Sequence, residues 1–187
     1  MAKYNPNIHH RKSIRLKGYD YSQAGLYFVT ICCKNREYMF GNVKNGKMIL
    51  NDAGKMVENE WLKLPKRFQN IELHEYTVMP NHFHSILEIV GATLMVAQND
   101  KGQPQGIATT IAPTLGDILG AFQSIVTVEY IRGVKNKKWK PFDGKLWQRN
   151  YWEHIIRNEK SYNTISEYIK NNPKKWNDDK FYSNNEN

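Results

Sequence analysis

Cysteine is scarce in this chain. There are two, Cys32 and Cys33, and they are adjacent. Neighbours on a strand point to opposite faces and make a poor disulfide pair, and without a second pair a cysteine zinc site is excluded. The expectation is a reduced, cytoplasmic protein. Long apolar runs are missing as well. The longest, 25–33 and 86–97, the second broken by Glu88, fall short of the ~18 residues that a spanning helix needs. The start, MAKYNPNIHHRK, has no apolar stretch of the kind a secretory signal carries. No membrane partner is expected. Acidic residues are in deficit, with 18 Asp+Glu against 27 Lys+Arg and a formal charge of +9. That excess fits a polyanionic partner, nucleic acid above all, although a basic surface also serves solubility.

What is present fits one domain. A length of 187 residues lies within the usual ~100–200 per domain, and 40% hydrophobic residues argue against wholesale disorder. Residues 1–20 read as a basic arm, with Lys3, Arg11, Lys12, Arg15 and Lys17 against the single acid Asp20. The stretch 26–33 (LYFVTICC) reads as a buried strand, and 37–50 as a hairpin turning at Asn45-Gly46. Asn51 is a helix cap, and Ala53, Met56, Val57, Trp61 and Leu64 give a helical stripe through about Lys66. A strand over 71–79, a Pro80-Asn81 turn and a return strand over 82–90 follow.

Residues 91–113 read as a mobile loop. Thr114 and Asp117 form a capping box that opens a helix to about Ile131. A second basic block, 132–149, interleaves Trp139, Phe142 and Trp147 with seven cations. Residues 146–157 can hold a strand and 158–172 a helix, which Pro173 ends. The domain is placed at 21–173, and 174–187 is expected to be a frayed polar tail. Mixed helices and antiparallel hairpins predict the α+β class, with helices packed on one face of a small sheet.

The sharpest local feature is Pro80-Asn81-His82-Phe83-His84. On a strand, residues i and i+2 share a face, so His82 and His84 project together and Phe83 points to the other side. Two imidazoles so held are a ready pair of metal ligands, although a His-x-His pair taken alone is more often plain structure. In the last helix, at ~100° per residue, Tyr168 and Asn172 lie about 40° and one turn apart, on the flank of the stripe carrying Ile165 and Ile169. Asn172 offers a neutral oxygen ligand, and Tyr168 a phenol able to attack an activated phosphorus. An ordinary boundary tyrosine is the commoner meaning of Tyr168 by itself.

Four stretches, in order, carry a family resemblance: RKSIRLKGYDYSQAGLYFVTICCKNR (11–36), LNDAGKMVENEWLKLP (50–65), VMPNHFHSI (78–86) and LWQRNYWEHIIRNEKSYNTISEYIKNNP (146–173). Together they resemble the single-tyrosine HUH transposases, in the insertion-sequence-200-like and REP-associated branch. HUH stands for His, hydrophobic, His, here His82-Phe83-His84. Ser85 departs from the Gly that relatives often carry, and Asn172 replaces the Gln of many insertion-sequence members.

The resemblance implies a ferredoxin-like α+β domain that cuts and rejoins single-stranded DNA beside a hairpin or palindrome. By that resemblance His82, His84 and Asn172 hold Mg²⁺ or Mn²⁺, and Tyr168 forms a 5′-phosphotyrosine. Arg15, Lys17, Arg149 and Arg157 are candidate phosphate contacts, and Trp147, Tyr151 and Trp152 candidate base-stacking residues. A homodimer, with Tyr168 acting in cis or in trans, stays open. So do a non-catalytic single-strand binding module, another HUH nuclease such as a replication initiator, and a metal phosphohydrolase.

Overall fold

In the computed structural model, which describes residues 15, 16, 18–91, 96–98, 104–107 and 112–182, alternating apolar residues build a four-stranded sheet. The elements run β1 (Gly25–Cys32), β2 (Gly41–Lys44), β3 (Lys47–Leu50), α1 (Asp52–Leu62), a short α2 (Leu64–Arg67), β4 (Ile71–Val78), β5 (His82–Ile89), β6 (Val96–Gln98), β7 (Pro104–Ile107), α3 (Leu115–Lys137), β8 (Trp152–Ile156) and α4 (Glu159–Asn171). A 3-10 segment, Pro173–Asp178, follows. The sheet order is β4-β5-β1-β8, with every pair antiparallel. Taken as β1-α1-β4-β5-α3-β8, this is the split βαβ arrangement of ferredoxin-like folds. The α+β class and the ferredoxin-like sheet are as the sequence leads one to expect.

Local chemistry sets the element ends. Asn45 and Gly46 both take positive φ, 52° and 70°, and close the β2–β3 hairpin. Asn51 Oδ1 accepts from the Gly54 amide at 2.8 Å and caps α1. Thr114 and Asp117 form a reciprocal capping box on α3, and Asn158 Oδ1 accepts from Ser161 N at 2.8 Å to start α4. The first helix breaks at Lys63 because Pro65 opens α2 and supplies no amide hydrogen.

The two faces of the sheet carry different layers. Tyr27, Val29 and Ile31 of β1 and Phe83 and Leu87 of β5 pack with Trp61 of α1 and Phe122 of α3 into the main core. The alternate residues, Leu26 and Phe28 of β1 and Ile86 of β5, pack with Ile156 and with Ile165 and Ile169 of α4. Helix α4 therefore lies on the face opposite α1 and α3, where the expectation put all helices on one face. The reason is that β5 is apolar on both sides, so each side needs a cover. Ser85 is fully buried in β5 with its hydroxyl unpaired.

Other differences have local causes. Helix α3 continues to Lys137 because Gly133 lets Trp139 fold back onto it; a Cβ at Gly133 would lie 2.1 Å from that ring. Strand β8 is short, and Trp147 instead makes an isolated bridge with Cys33. Within 91–113, β6 pairs with β7; the rest of that loop expectation falls mostly outside the described residues, as do most of the 1–20 arm and Lys17. The tail is not frayed through Tyr182, since Trp176 and Phe181 are buried. Cys32 and Cys33 are free thiols. Among the described residues no helix is long and apolar enough to cross a membrane.

Candidate active site

Strand β5 places His82 and His84 on the α4 face, with ring centroids 4.5 Å apart. Both are almost wholly buried. Burial, the leading cause, holds the His82 pKa down at about 3 and that of His84 well below the ordinary histidine value. Both rings are thus neutral at pH 7, the form in which imidazole nitrogens have lone pairs to give.

The orientation of His82 is fixed by Asn81. The Asn81 Nδ2 donates to two carbonyls, Phe181 O at 2.8 Å and Arg36 O at 3.0 Å. Its Oδ1 is therefore an acceptor, and it lies 2.9 Å from His82 Nδ1, which must carry the proton. His82 Nε2 keeps its lone pair and has no hydrogen-bond partner. Asn172, at the C-terminus of α4, lies against this histidine. Its Nδ2 donates to Asp179 Oδ2 at 2.8 Å, which turns Oδ1 inward, buried and also without a partner. Two lone pairs are thus shut into one small space. An unpaired buried acceptor costs roughly 1–3 kcal/mol, and a cation between the two would relieve both.

His84 is held from the other side. Thr30 Oγ1 on β1 lies 2.8 Å from His84 Nδ1, and His84 Nε2 faces the Tyr168 hydroxyl at 3.2 Å. Ligand atoms of His82, His84 and Asp179 all lie within 4.8 Å of one another. The set comprises two imidazole nitrogens, an amide oxygen and a carboxylate. Such nitrogen and oxygen donors suit a divalent cation more than a soft thiophilic metal. Phe181 closes one wall, with its ring 4.6 Å from that of His82.

Tyr168 is 39% exposed. Its phenol is pushed up to about 12, chiefly by burial and then by the charge of Asp179. It therefore stays protonated at neutral pH and reaches solvent along one edge.

The four residues read as the catalytic and metal set, His82, His84, Tyr168 and Asn172, come together within one chain. Asp179 was missed. It sits seven residues past Asn172, in the segment read as a frayed tail. The available signal was the spacing of Trp176 and Phe181, large apolar residues that a solvated tail has no use for.

The expected DNA contacts divide. Arg149 and Arg157 are exposed. Arg15 donates to Tyr151 Oη at 2.8 Å and stacks on that ring at 5.1 Å. Of the three stacking candidates, Trp147 and Tyr151 are buried and Trp152 is 54% exposed. The other tyrosines considered have structural partners: Tyr130 Oη donates to Lys140 O, and Tyr162 Oη meets His74 Nδ1.

No protein-family model matches the chain. An uncharacterized protein of Haemophilus influenzae is 44% identical over 190 residues, covering 97% of this chain and 98% of that protein. The REP-associated tyrosine transposase of Escherichia coli K12 is 25% identical over 156 residues, which is 83% of this chain and 70% of that protein. A solved structure of a REP-associated tyrosine transposase bound to a REP hairpin aligns with a TM-score of 0.50 at 19% identity, over 94% of this chain and 74% of that one. At that identity the likeness bears on the fold.

Proposed function

We propose that this chain, which belongs to the REP-associated branch of the single-tyrosine HUH transposases, is a metal-dependent endonuclease and strand transferase acting in the cytoplasm on single-stranded DNA beside hairpins. The observation that carries this reading is that two buried acceptors, His82 Nε2 and Asn172 Oδ1, have no hydrogen-bond partner in side chains that lie against each other, with the Tyr168 hydroxyl on His84 beside them. A pure binding module has no use for that pair. The hairpin bound in the neighbouring structure supports hairpin DNA as the partner.

His82, His84 and Asn172 would hold Mg²⁺ or Mn²⁺. When bound, such an ion supplies charge withdrawal from the scissile phosphate and orients it. Tyr168 Oη attacks phosphorus, its new O–P bond forming as the 3′-oxygen leaves, and gives a 5′-phosphotyrosine. The Asp179 carboxylate, beside the phenol, is positioned to take its proton as it attacks. The linkage keeps the bond energy, so a second 3′-OH can rejoin the strand without ATP. Arg149 and Arg157 would contact phosphates, and Tyr168 would act in cis.

The test is a denaturing gel. Incubated with a labelled single strand flanking a hairpin and with Mn²⁺, the protein should form a covalent adduct that survives SDS. Absence of any adduct over a panel of hairpin-flanked strands would sink the reading.

Asn81 should matter to the metal without touching it. Partners that orient a ligating histidine are worth about 10–100-fold in metal affinity. Asn81→Ala should weaken Mn²⁺ binding by that factor in calorimetry. Unchanged affinity would mean that the His82 ring is oriented by something else.

A further inference from the structure

Helix α4 lies mainly over β4 and β5, and its inner side chains also reach Phe28 of β1 and Ile156 of β8. On the β8 side of that face Trp152 and His154 are exposed, while Thr30 and Ile156 are buried and Phe28 is half-buried. Because side chains alternate, Trp152 and His154 of β8 share this face with Thr30 and Phe28 of β1. The pairings set them in rows: His84, Thr30 and Trp152 in one, and Ile86, Phe28 and His154 in the next. Trp152 thus stands two strand spacings, about 10 Å, from His84. Phe28 fills the gap between the platform and the centre. Its ring stacks on His84 at 5.4 Å and meets the edge of Tyr168 at 6.0 Å.

This surface has the make-up of a single-strand binding site. Trp152 is 54% exposed, among the most exposed large apolar side chains of the described residues. Beside it a cleft of about 490 Å³ runs between β8 and the first half of α4, lined by Phe28, His154, Asn158, Lys160 and Thr164. That volume falls in the ~300–1,000 Å³ range of ligand clefts. Lys160 and, at the end of β8, Arg157 are exposed and give the rim a positive charge. Single strands are held by this combination, a basic track and aromatic faces on which successive bases stack.

We propose that the exposed β8 edge of this face is a nucleobase platform. Trp152 stacks on a base close to the scissile phosphate, the neighbouring base enters the cleft between His154 and Thr164, and the backbone passes along Lys160 towards Tyr168. The inference rests on the proposed activity, because it assumes that the strand ends at Tyr168. It adds the path by which that strand arrives. The occupant is single-stranded DNA, and recognition at Trp152 is tolerant of sequence, since every base offers a face to stack on.

The experiment compares wild type, Trp152→Ala and Trp152→Phe by fluorescence anisotropy on a labelled unpaired oligonucleotide at fixed salt. The same proteins are tested on a blunt hairpin with no unpaired flank, and their Mn²⁺ affinity and thermal midpoint are measured. Trp152→Ala should bind the single strand roughly tenfold more weakly. Trp152→Phe should recover most of the loss, and blunt-hairpin binding, Mn²⁺ affinity and thermal midpoint should not move. Equal single-strand affinity for Trp152→Ala overturns the platform while leaving the transposase reading intact. An equal loss on the blunt hairpin overturns it too, as does a wild-type dimer in sedimentation that Trp152→Ala turns to monomer. If the wild type binds no single strand, platform and activity fall together.

Discussion

Tyr168→Phe will form no covalent adduct with DNA, and its cleavage rate will fall by about 10³-fold or more, the scale seen when a nucleophile is removed. Its affinity for hairpin DNA will stay within about twofold. The separation of these readouts follows from the surroundings of the residue. The phenol oxygen has one neighbour on the sheet, His84 Nε2 at 3.2 Å. The ring meets Phe28 and His84 edge-on, and phenylalanine keeps both contacts. The side chain is also partly exposed, so the change should move stability by no more than about 0.5 kcal/mol. A folded, DNA-binding, inert variant is the expected product. Undiminished adduct in Tyr168→Phe would assign the attack to another group, and Tyr162, whose hydroxyl is tied to His74 3.1 Å away, would be a poor substitute.

His82→Ala will lower cleavage by orders of magnitude and will make the residual rate insensitive to EDTA. The wild type in EDTA will fall to the same level. Two causes act together. The substitution removes one of the two proposed imidazole ligands, and it leaves Asn81 Oδ1, now without its 2.9 Å partner, buried beside the gap. The second effect costs roughly 1–3 kcal/mol of stability. Thermal unfolding must therefore be measured alongside activity, and titration with Mn²⁺ separates the two. A folded His82→Ala protein that binds no Mn²⁺ and does not cut supports the assignment. Full cutting by that variant, or by wild type in EDTA, would remove the metal from the mechanism.

Much of this was readable in the sequence because it depends on short-range periodicity. A spacing of two puts His82 and His84 on one face wherever β5 pairs, and a spacing of four puts Tyr168 and Asn172 on one flank of α4. Caps at Asn51, Thr114 and Asn158 are equally local. What escaped depends on contacts between distant segments. Asp179 and Phe181 reach the histidines because the chain turns back after Pro173, and a polar run such as WNDDKF announces no direction. Arg15 looked like a free cation until Tyr151, 136 residues away, took its guanidinium. The placement of α4 opposite α1 and α3 had a visible cause, Phe83 and Leu87 on one side of β5 and Ile86 on the other. Its consequence appears only once the sheet order is known.

The return of the chain over its own histidines also sets a timetable for synthesis. Proteins emerge from the ribosome N-terminus first and fold in that order where they can. The nascent chain carries both histidines about ninety residues before Asn172 and Asp179 are made. Until then His82 has no amide facing it and no Phe181 wall, and β1 lacks its outer neighbour β8. A ribosome-bound intermediate is therefore a hairpin-rich fragment whose centre is open to water and whose tyrosine does not yet exist. The proposed centre is completed only by the last turn of α4 and the segment that follows it, so on that proposal a nascent chain has no cutting activity to misdirect while it is still being translated.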